Sequence, residues 1–242
     1  MRYLVTRPRD DAEAFAKTLH ERGHVAIVAP VMEVHVIAGE PIALEGVQAV
    51  LATSANGVRA LAARTKRRDV TFYAVGPQTA EAARDAGFPI VISAEGDSAA
   101  LVETVAREAD PAKGRLFHAA GAETAGRLRQ ALQSRGFRIE TAVLYEAVPV
   151  AKLPAEAEDA LRNETADGVF LFSPRSARIF AALVEGAGLA AQCAKLIAFC
   201  ISAATAEALN PLSFARMAVA GTPNQDAILD LIAQPDAARQ IP

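Results

Sequence analysis

The chain resembles itself in a permuted order, and few folds accommodate that. Residues Arg2 to Gly23 line up with Arg115 to Gly136 at constant spacing, so that Phe15 meets Leu128, Leu19 meets Leu132 and Gly23 meets Gly136. Thr53-Ser54-Ala55-Asn56-Gly57-Val58-Arg59 lines up with Phe172-Ser173-Pro174-Arg175-Ser176-Ala177-Arg178, and Thr79-Ala80-Glu81-Ala82 recurs as Thr205-Ala206-Glu207-Ala208. Asp97-Ser98 before Leu101-Val102 recurs as Asn224-Gln225 before Ile228-Leu229. Matching at Gly and Ser as well as at apolar positions separates a repeat from a coincidence of Ala-rich helices. In the middle of the chain the Arg-Gly-ending unit comes last. In the other copy it comes first, at the N-terminus, and the rest follow Val150. One domain inserted into another explains this order: residues 1–36 with 149–242 form the first, and 38–146 the second. The backbone is expected to cross between them near Val36–Pro41 and Ala147–Pro154, two proline-bearing stretches without helical periodicity.

Within each copy, short apolar runs alternate with helical patterns. Tyr3-Leu4-Val5 precedes Asp11–Glu21, Val50-Leu51-Ala52 precedes Gly57–Arg64, Phe72–Val75 precedes Thr79–Ala86, and Val91-Ile92 precedes Ser98–Ala109. Leu116-Phe117 precedes Ala125–Arg135, Val169–Phe172 precedes Ser176–Val184, Leu196–Phe199 precedes Thr205–Leu209, and Met217–Val219 precedes Gln225–Ala233. Strands alternating with helices of this length indicate βαβ units and parallel sheets. The expected fold class is α/β: two similar flavodoxin- or Rossmann-like parallel-sheet domains joined by a two-segment linker. Gly23, Gly87 and Gly136 stand where helix C-caps need them.

Composition removes several function classes. Net charge is −3, so no global basic field draws in nucleic acid. No apolar run approaches the ~18 residues of a membrane span. Met1-Arg2-Tyr3-Leu4-Val5-Thr6-Arg7 regains charge too soon for a secretory signal, so a cytoplasmic location is expected. Two cysteines, Cys193 and Cys200, are too few for a disulfide framework or a structural zinc site, and both lie in apolar surroundings as small buried hydrophobes.

In parallel α/β sheets, ligands bind beyond the carboxyl ends of the strands. The turns there are rich in small residues, most of them polar: Thr6-Arg7-Pro8, Thr53-Ser54-Ala55-Asn56, Gly76-Pro77-Gln78-Thr79, Glu95-Gly96-Asp97-Ser98, His118-Ala119-Ala120-Gly121, Ser173-Pro174-Arg175-Ser176, Ser202-Ala203-Ala204-Thr205 and Gly221-Thr222-Pro223-Asn224. Hydroxyls and amides there cap helices, and helix N-termini attract anions. Taken together they suit a ligand with many carboxylates. Ser54, Asn56, Thr79, Ser98, Ser173 and Thr205 are therefore candidate ligand-binding positions, with Arg7 and Arg175 as side-chain anion partners. The sequence lacks a Gly-x-Gly-x-x-Gly turn, a phosphate-binding Gly-Lys-Ser/Thr loop and a Gly-x-Ser-x-Gly nucleophile turn. His20 and His24 are separated by the helix-ending Gly23, His35 precedes a crossing, and His118 is read at a strand end where it could exchange a proton. No metal site and no tightly held cofactor is expected.

Four segments resemble uroporphyrinogen-III synthases: Val5-Thr6-Arg7-Pro8, Thr53-Ser54-Ala55-Asn56-Gly57-Val58, Ala74-Val75-Gly76-Pro77-Gln78-Thr79-Ala80, and Leu144-Tyr145-Glu146-Ala147-Val148-Pro149. The resemblance runs almost end to end. It implies a cofactorless lyase that closes hydroxymethylbilane, a linear tetrapyrrole with eight carboxylates, while inverting ring D. In that family, two α/β domains flank the substrate and move relative to one another. Tyr145 matches the family's tyrosine and is the expected proton donor to the departing hydroxyl, a role a neutral phenol can fill. Ser54, Ser173, Thr79 and Thr205 match its Ser and Thr positions and are expected to cap helices and help bind substrate. A monomer is expected, with hydroxymethylbilane synthase, which makes the unstable substrate, as a transient partner. Two departures stand out: Ile201-Ser202-Ala203-Ala204-Thr205-Ala206 lacks the Gly-Pro of the first copy, and Phe172 stands where many members carry Thr.

The main rival is a non-catalytic two-lobed binding protein for a small polyanion, which hinged α/β lobes fit equally well. The early return of charge at the N-terminus counts against a secreted receptor. A nucleotide-dependent transferase is disfavoured by the missing phosphate loop.

Overall fold

Strand β1 (Arg2–Val5) leads through α1 (Arg9–Glu21) to β2 (Val25–Val28) and β3 (Met32–Val36) in a computed structural model that describes residues 1–123 and 125–233. Then follow β4 (Val47–Ala52), α2 (Ala55–Arg64), β5 (Thr71–Ala74), α3 (Pro77–Asp85), β6 (Val91–Ser93), α4 (Ser98–Glu108), β7 (Arg115–Gly121), α5 (Ala125–Gln133) and β8 (Ile139–Pro149). The chain continues with α6 (Ala155–Arg162), β9 (Gly168–Leu171), α7 (Pro174–Gly186), β10 (Ile197–Cys200), α8 (Ala203–Glu207), β11 (Arg216–Val219) and α9 (Gln225–Asp230).

The strands make two sheets, one in the order β11-β10-β9-β1-β2 and one in the order β6-β5-β4-β7-β8-β3. Apart from β3, each strand pairs in parallel with its neighbours. Matching β9 to β4, β10 to β5, β11 to β6, β1 to β7 and β2 to β8 superposes the two orders, which is the permuted repeat written in space. Numbered in chain order within each sheet, β2-β1-β9-β10-β11 reads 2-1-3-4-5, the flavodoxin order, and β6-β5-β4-β7-β8, counted from β4, reads 3-2-1-4-5, the first part of the Rossmann order; the permutation turns one into the other.

The described chain divides into two units, Met1–Glu33 with Val148 onward, and Val34–Ala147. Both divisions fall inside strands, β3 and β8, not in irregular linkers. Ile37 N–H donates to the Leu144 carbonyl (2.8 Å) and Val150 N–H to the Val31 carbonyl (3.1 Å), so these strands run antiparallel. A paired strand satisfies its backbone polar groups, which an irregular crossing would leave to water. Irregular backbone begins only after Val36, and the second expected linker is strand as far as Pro149. Residues 234–242 of the first expected domain lie outside the described residues.

The repeat extends to cap geometry. Gly23 and Gly136 have φ of +77° and +85°, left-handed values that favour glycine. Gly23 N–H donates to His20 O and His24 N–H to Leu19 O; Gly136 N–H donates to Gln133 O and Phe137 N–H to Leu132 O. Both helices therefore end in the same paired-bond motif, which satisfies their last carbonyls.

Parallel strands covered on both faces read as continuous apolar runs, as Gly168-Val169-Phe170-Leu171 does, buried at every position. In the first unit Tyr3, Phe15, Phe170 and Phe199 form an aromatic core. In the second, Val50, Phe72 and Phe117 pack on one face, and Leu51, Tyr73 and Leu116 on the other.

His118 belongs to this interior. Strand β7 runs on to Gly121, so His118 is mid-strand and fully buried, not at a strand end as expected from sequence. Neither ring nitrogen has a hydrogen-bond partner among the described residues, and burial pushes the imidazole down to about 4. Unfolding returns it to the usual value near 6.5, so between about pH 6.5 and 4 the unfolded chain binds the extra proton. This contribution is present above pH 6.5 and is lost as pH falls through 4. Wild-type stability is thus expected to drop over that window by up to about 3 kcal/mol more than that of His118→Leu. Urea unfolding at pH 7, 5.5 and 4 measures the difference; parallel profiles would show that His118 is not desolvated.

Candidate functional site

A doubly wound sheet opens a crevice where the strand order reverses, because the flanking connections leave in opposite directions. In the second unit this falls at the carboxyl ends of β4 and β7. In the first it falls at those of β9 and β1.

At the β4 end, Ser54 caps α2: its extended backbone ends the strand, and its Oγ accepts from Asn56 N–H at 3.2 Å. Asn56 Oδ1 accepts from Arg59 Nη2 at 2.5 Å, so the amide is held by the next turn of the same helix. Beside β7, strand β8 carries one extra residue: Ala120 pairs with Val143, but Gly121 pairs with Tyr145. A bulge of this kind re-aims side chains. Here Leu144 and Tyr145, consecutive in sequence, both enter the core cluster that holds Val50 and Phe117. Tyr145 is 8% exposed, and its carbonyl accepts from Ala122 N–H at 3.0 Å.

Further along this sheet the expected caps change. Gly76 is the N-cap of α3, with Pro77 in the first turn and no side-chain cap bond; Thr79 is a buried residue of that turn, not the cap. Asp97, not Ser98, caps α4, its Oδ1 accepting from Ala99 N–H (2.9 Å) and Ala100 N–H (3.0 Å). That helix start already holds its own carboxylate, which satisfies the donors an anion would use. Ser98 is exposed in the first turn beyond it.

In the first unit, Thr6 is buried and its Oγ1 donates to the Phe170 carbonyl at 2.7 Å, tying β1 to β9. Arg7 follows, held on three sides. Its Nη1 donates to Gln225 Oε1 at 3.0 Å, its Nη2 lies 3.5 Å from Asp11 Oδ2, and its guanidinium sits 4.7 Å from the Phe172 ring centroid. Phe172, the departure noted in the sequence, is thus an aromatic support for the arginine, an arrangement that favours Arg over Lys. Ser173 caps α7 in a capping box with Ser176, and Arg175 is half-buried in the first turn.

The second departure is also explained. Ser202 takes the N-cap of α8, supplying a side-chain cap where Gly76 supplies none. Thr205, fully buried, lies within that helix; its Oγ1 is 3.0 Å from Ser202 Oγ and its N–H donates to that oxygen at 3.3 Å. Of the four expected caps, Ser54 and Ser173 are caps, whereas Thr205 bonds the cap of α8 from inside the first turn and Thr79 is buried in the first turn of α3.

The described residues therefore place Ser54, Asn56 and Tyr145 around the β4/β7 ends, and Arg7, Ser173 and Arg175 around the β1/β9 ends. Thr79 and Thr205 stand one strand outward and Ser98 two. Both cysteines are buried, and burial pushes the thiols of Cys193 and Cys200 up to about 11 and about 12. Among the described residues no group of three His, Cys, Asp or Glu is placed to hold a metal, and no helix is long and apolar enough to cross a membrane.

A family model described as uroporphyrinogen-III synthase HemD matches residues 13–230. The chain belongs to the uroporphyrinogen-III synthase family. It is an enzyme of tetrapyrrole biosynthesis by that membership. Solved structures of family members share its fold. The uroporphyrinogen-III synthetase from Helicobacter pylori is 18% identical, with 97% of this chain and 99% of that chain covered and a TM-score of 0.64. A mutant uroporphyrinogen III synthase from the extremely thermophilic bacterium Thermus thermophilus is 20% identical, with 97% and 98% covered and a TM-score of 0.50. No curated protein matches the chain at a significant level. For a uroporphyrinogen-III synthase, the residues that sequence reading missed are Asp11 and Gln225, which hold Arg7, and Asp97, which occupies a helix start. Only the Arg7–Asp11 spacing, four residues across the start of α1, carried a signal.

Proposed function

We propose that this chain is a lyase that closes hydroxymethylbilane to uroporphyrinogen III with loss of water and inversion of ring D. The family match across residues 13–230 carries this reading. Loss of the terminal hydroxyl gives an azafulvene; attack at the substituted carbon of ring D gives a spiro intermediate, which fragments and recloses. Every bond that changes lies in the substrate, so the protein's work is orientation and charge stabilisation.

Tyr145 donates the phenolic proton to the departing hydroxyl as its C–O bond breaks, so that water leaves. A ring proton released at closure restores the phenol. The helix starts behind Ser54 and Ser173 offer backbone N–H groups to substrate carboxylates, with Asn56, Arg7 and Arg175 as side-chain donors. Asp11, Gln225 and Phe172 limit the conformations of Arg7 beforehand, which lowers the entropy lost on binding. Thr205 serves by bracing the start of α8 through Ser202, Thr79 by filling the first turn of α3, and Ser98 contributes least. The enzyme works in the cytoplasm as a monomer of two α/β domains, one inserted in the other, and receives its unstable substrate from hydroxymethylbilane synthase in transient contact.

The test is to supply freshly made hydroxymethylbilane and resolve the isomers. Uroporphyrinogen III is expected as the dominant product. Isomer I alone, as forms in buffer, would reject the reading, and tight binding without isomer III would instead support a polyanion-binding protein.

A further inference from the structure

The clearest unassigned feature is the close approach of two glycines to one aromatic ring. A Cβ added at Gly121 would lie 2.7 Å from Tyr145 Cζ, 2.8 Å from its hydroxyl oxygen and 2.9 Å from Cε2. A Cβ added at Gly57 would lie 3.5 Å from Cε1 on the other edge of the ring and 2.5 Å from the Ala119 carbonyl oxygen. Neither glycine has left-handed backbone, so conformation does not require glycine at either place. What excludes a side chain is contact. Gly186 and Gly221, by contrast, would meet nothing within 4 Å. The register shift in β8 completes the arrangement, because it is what sets Tyr145 rather than Leu144 opposite Gly121.

We propose that Gly121 is a positioning residue for Tyr145: with Gly57 and the bulge it forms a seat that fixes where the phenolic hydroxyl can stand. The proposal rests on the proton-donor reading of Tyr145. A ring packed against two bare backbone segments can neither tilt nor slide toward them, and the β8 backbone is tied to Ala122 at the same residue. A methyl group at position 121 occupies the space of the hydroxyl end of the ring. Well-packed surroundings do not open for it without displacing one partner, and the ring is the partner able to turn. A displacement on the order of 1 Å removes most of the benefit of an oriented acid.

Gly121→Ala is expected to lower kcat by about ten-fold or more and to leave KM within about two-fold, since carboxylate binding is untouched. In a Tyr145→Phe background, where there is no hydroxyl to misplace, the same substitution is expected to cost under about two-fold. An equal loss in both backgrounds, or no loss in the first, overturns the proposal. Packing is read separately from activity. Tyr3, Tyr73 and Tyr145 are the three tyrosines, so 3-fluorotyrosine labelling gives three fluorine resonances, and loss of one in Tyr145→Phe assigns the third. Gly121→Ala is expected to shift that resonance alone. An unmoved Tyr145 resonance overturns the seat even if the wild type makes isomer III. A moved resonance without wild-type synthase activity would instead fault the functional reading. If Gly121→Ala does not fold, the added substitution Tyr145→Ala makes room for the methyl and is expected to restore three-dimensional order. A double variant that stays unfolded overturns the proposal.

Discussion

Phe170→Ala is expected to destabilise the first unit by about 3–5 kcal/mol, the range for removing a fully buried phenylalanine. Phe170 is on β9, paired on one side with β1 and on the other with β10, and is fully buried. Its ring stacks on Phe199 with centroids 4.7 Å apart and meets Phe15 at 5.0 Å and Tyr3 at 5.4 Å, both edge-on. These rings come from α1, β1, β9 and β10, so the cavity left by alanine opens where helix and sheet layers meet. No single neighbour can collapse into it without giving up its own contacts. The cost is a large share of the ~5–15 kcal/mol that stabilises a typical domain. The Thr6 hydroxyl, which donates to the Phe170 carbonyl, is untouched by the substitution, so the loss reports packing and not the β1–β9 tie. The chain has no tryptophan, and Tyr3 packs directly on Phe170, so tyrosine fluorescence during urea unfolding follows the affected core. A shift below about 1 kcal/mol would mean that the aromatic cluster does not hold this unit together.

The strand–helix alternation was legible because both faces of a parallel sheet are buried, so each strand announces itself as an apolar run and each helix by its periodicity. The permuted repeat carried more than any motif: it anticipated the matching strand orders before any register was known. Elements that broke the alternation were missed. Strand β2 is four residues, Val25 to Val28, with no helical pattern after it. Strand β8 shows no regular alternation of buried and exposed positions, and at its bulge the consecutive Leu144 and Tyr145 are both buried. Helix α6 follows Pro154 directly and is largely Ala and Glu, which reads as linker. Ala119-Ala120-Gly121 reads as loop because its residues are small, yet it continues β7, and so His118 was placed at an end it does not occupy.

At the site, what depended on neighbours in sequence was legible and what depended on distant neighbours was not. Ser54 and Ser173 sit directly after apolar strands, the ordinary position of an N-cap. Asp97 displaced Ser98 by one residue, within the usual uncertainty of a helix start. Phe172 could be flagged as unusual in sequence, but its partner Arg7 comes from the distant turn after β1. The same holds for Gly121, whose lack of a side chain gains meaning only when the bulge brings Tyr145 against it.

Tyr145→Phe removes one oxygen and leaves the ring, so its seat between Gly57 and Gly121 remains filled and the fold is expected to survive. Turnover is expected to fall by about ten-fold at least, toward the roughly 10²–10⁴ that a positioned acid supplies, or about 1.4 kcal/mol and more of transition-state stabilisation. KM should change little, because the carboxylate donors at the helix starts are distant in sequence from the phenol and are not altered. The product ratio is the more telling readout. Departure of the hydroxyl and ring inversion are successive events, and the variant slows only the first. Substrate that reaches the azafulvene while bound is still held for inversion, whereas substrate that waits and dissociates closes in solution to isomer I. Isomer I should therefore rise with time in proportion to unconsumed substrate, while the initial enzymatic product stays isomer III. A variant that turns over at the wild-type rate would remove Tyr145 from the proton step and leave family membership intact. A variant that makes isomer I from the first turnover would mean that the phenol shapes ring D during inversion and does not serve as the acid.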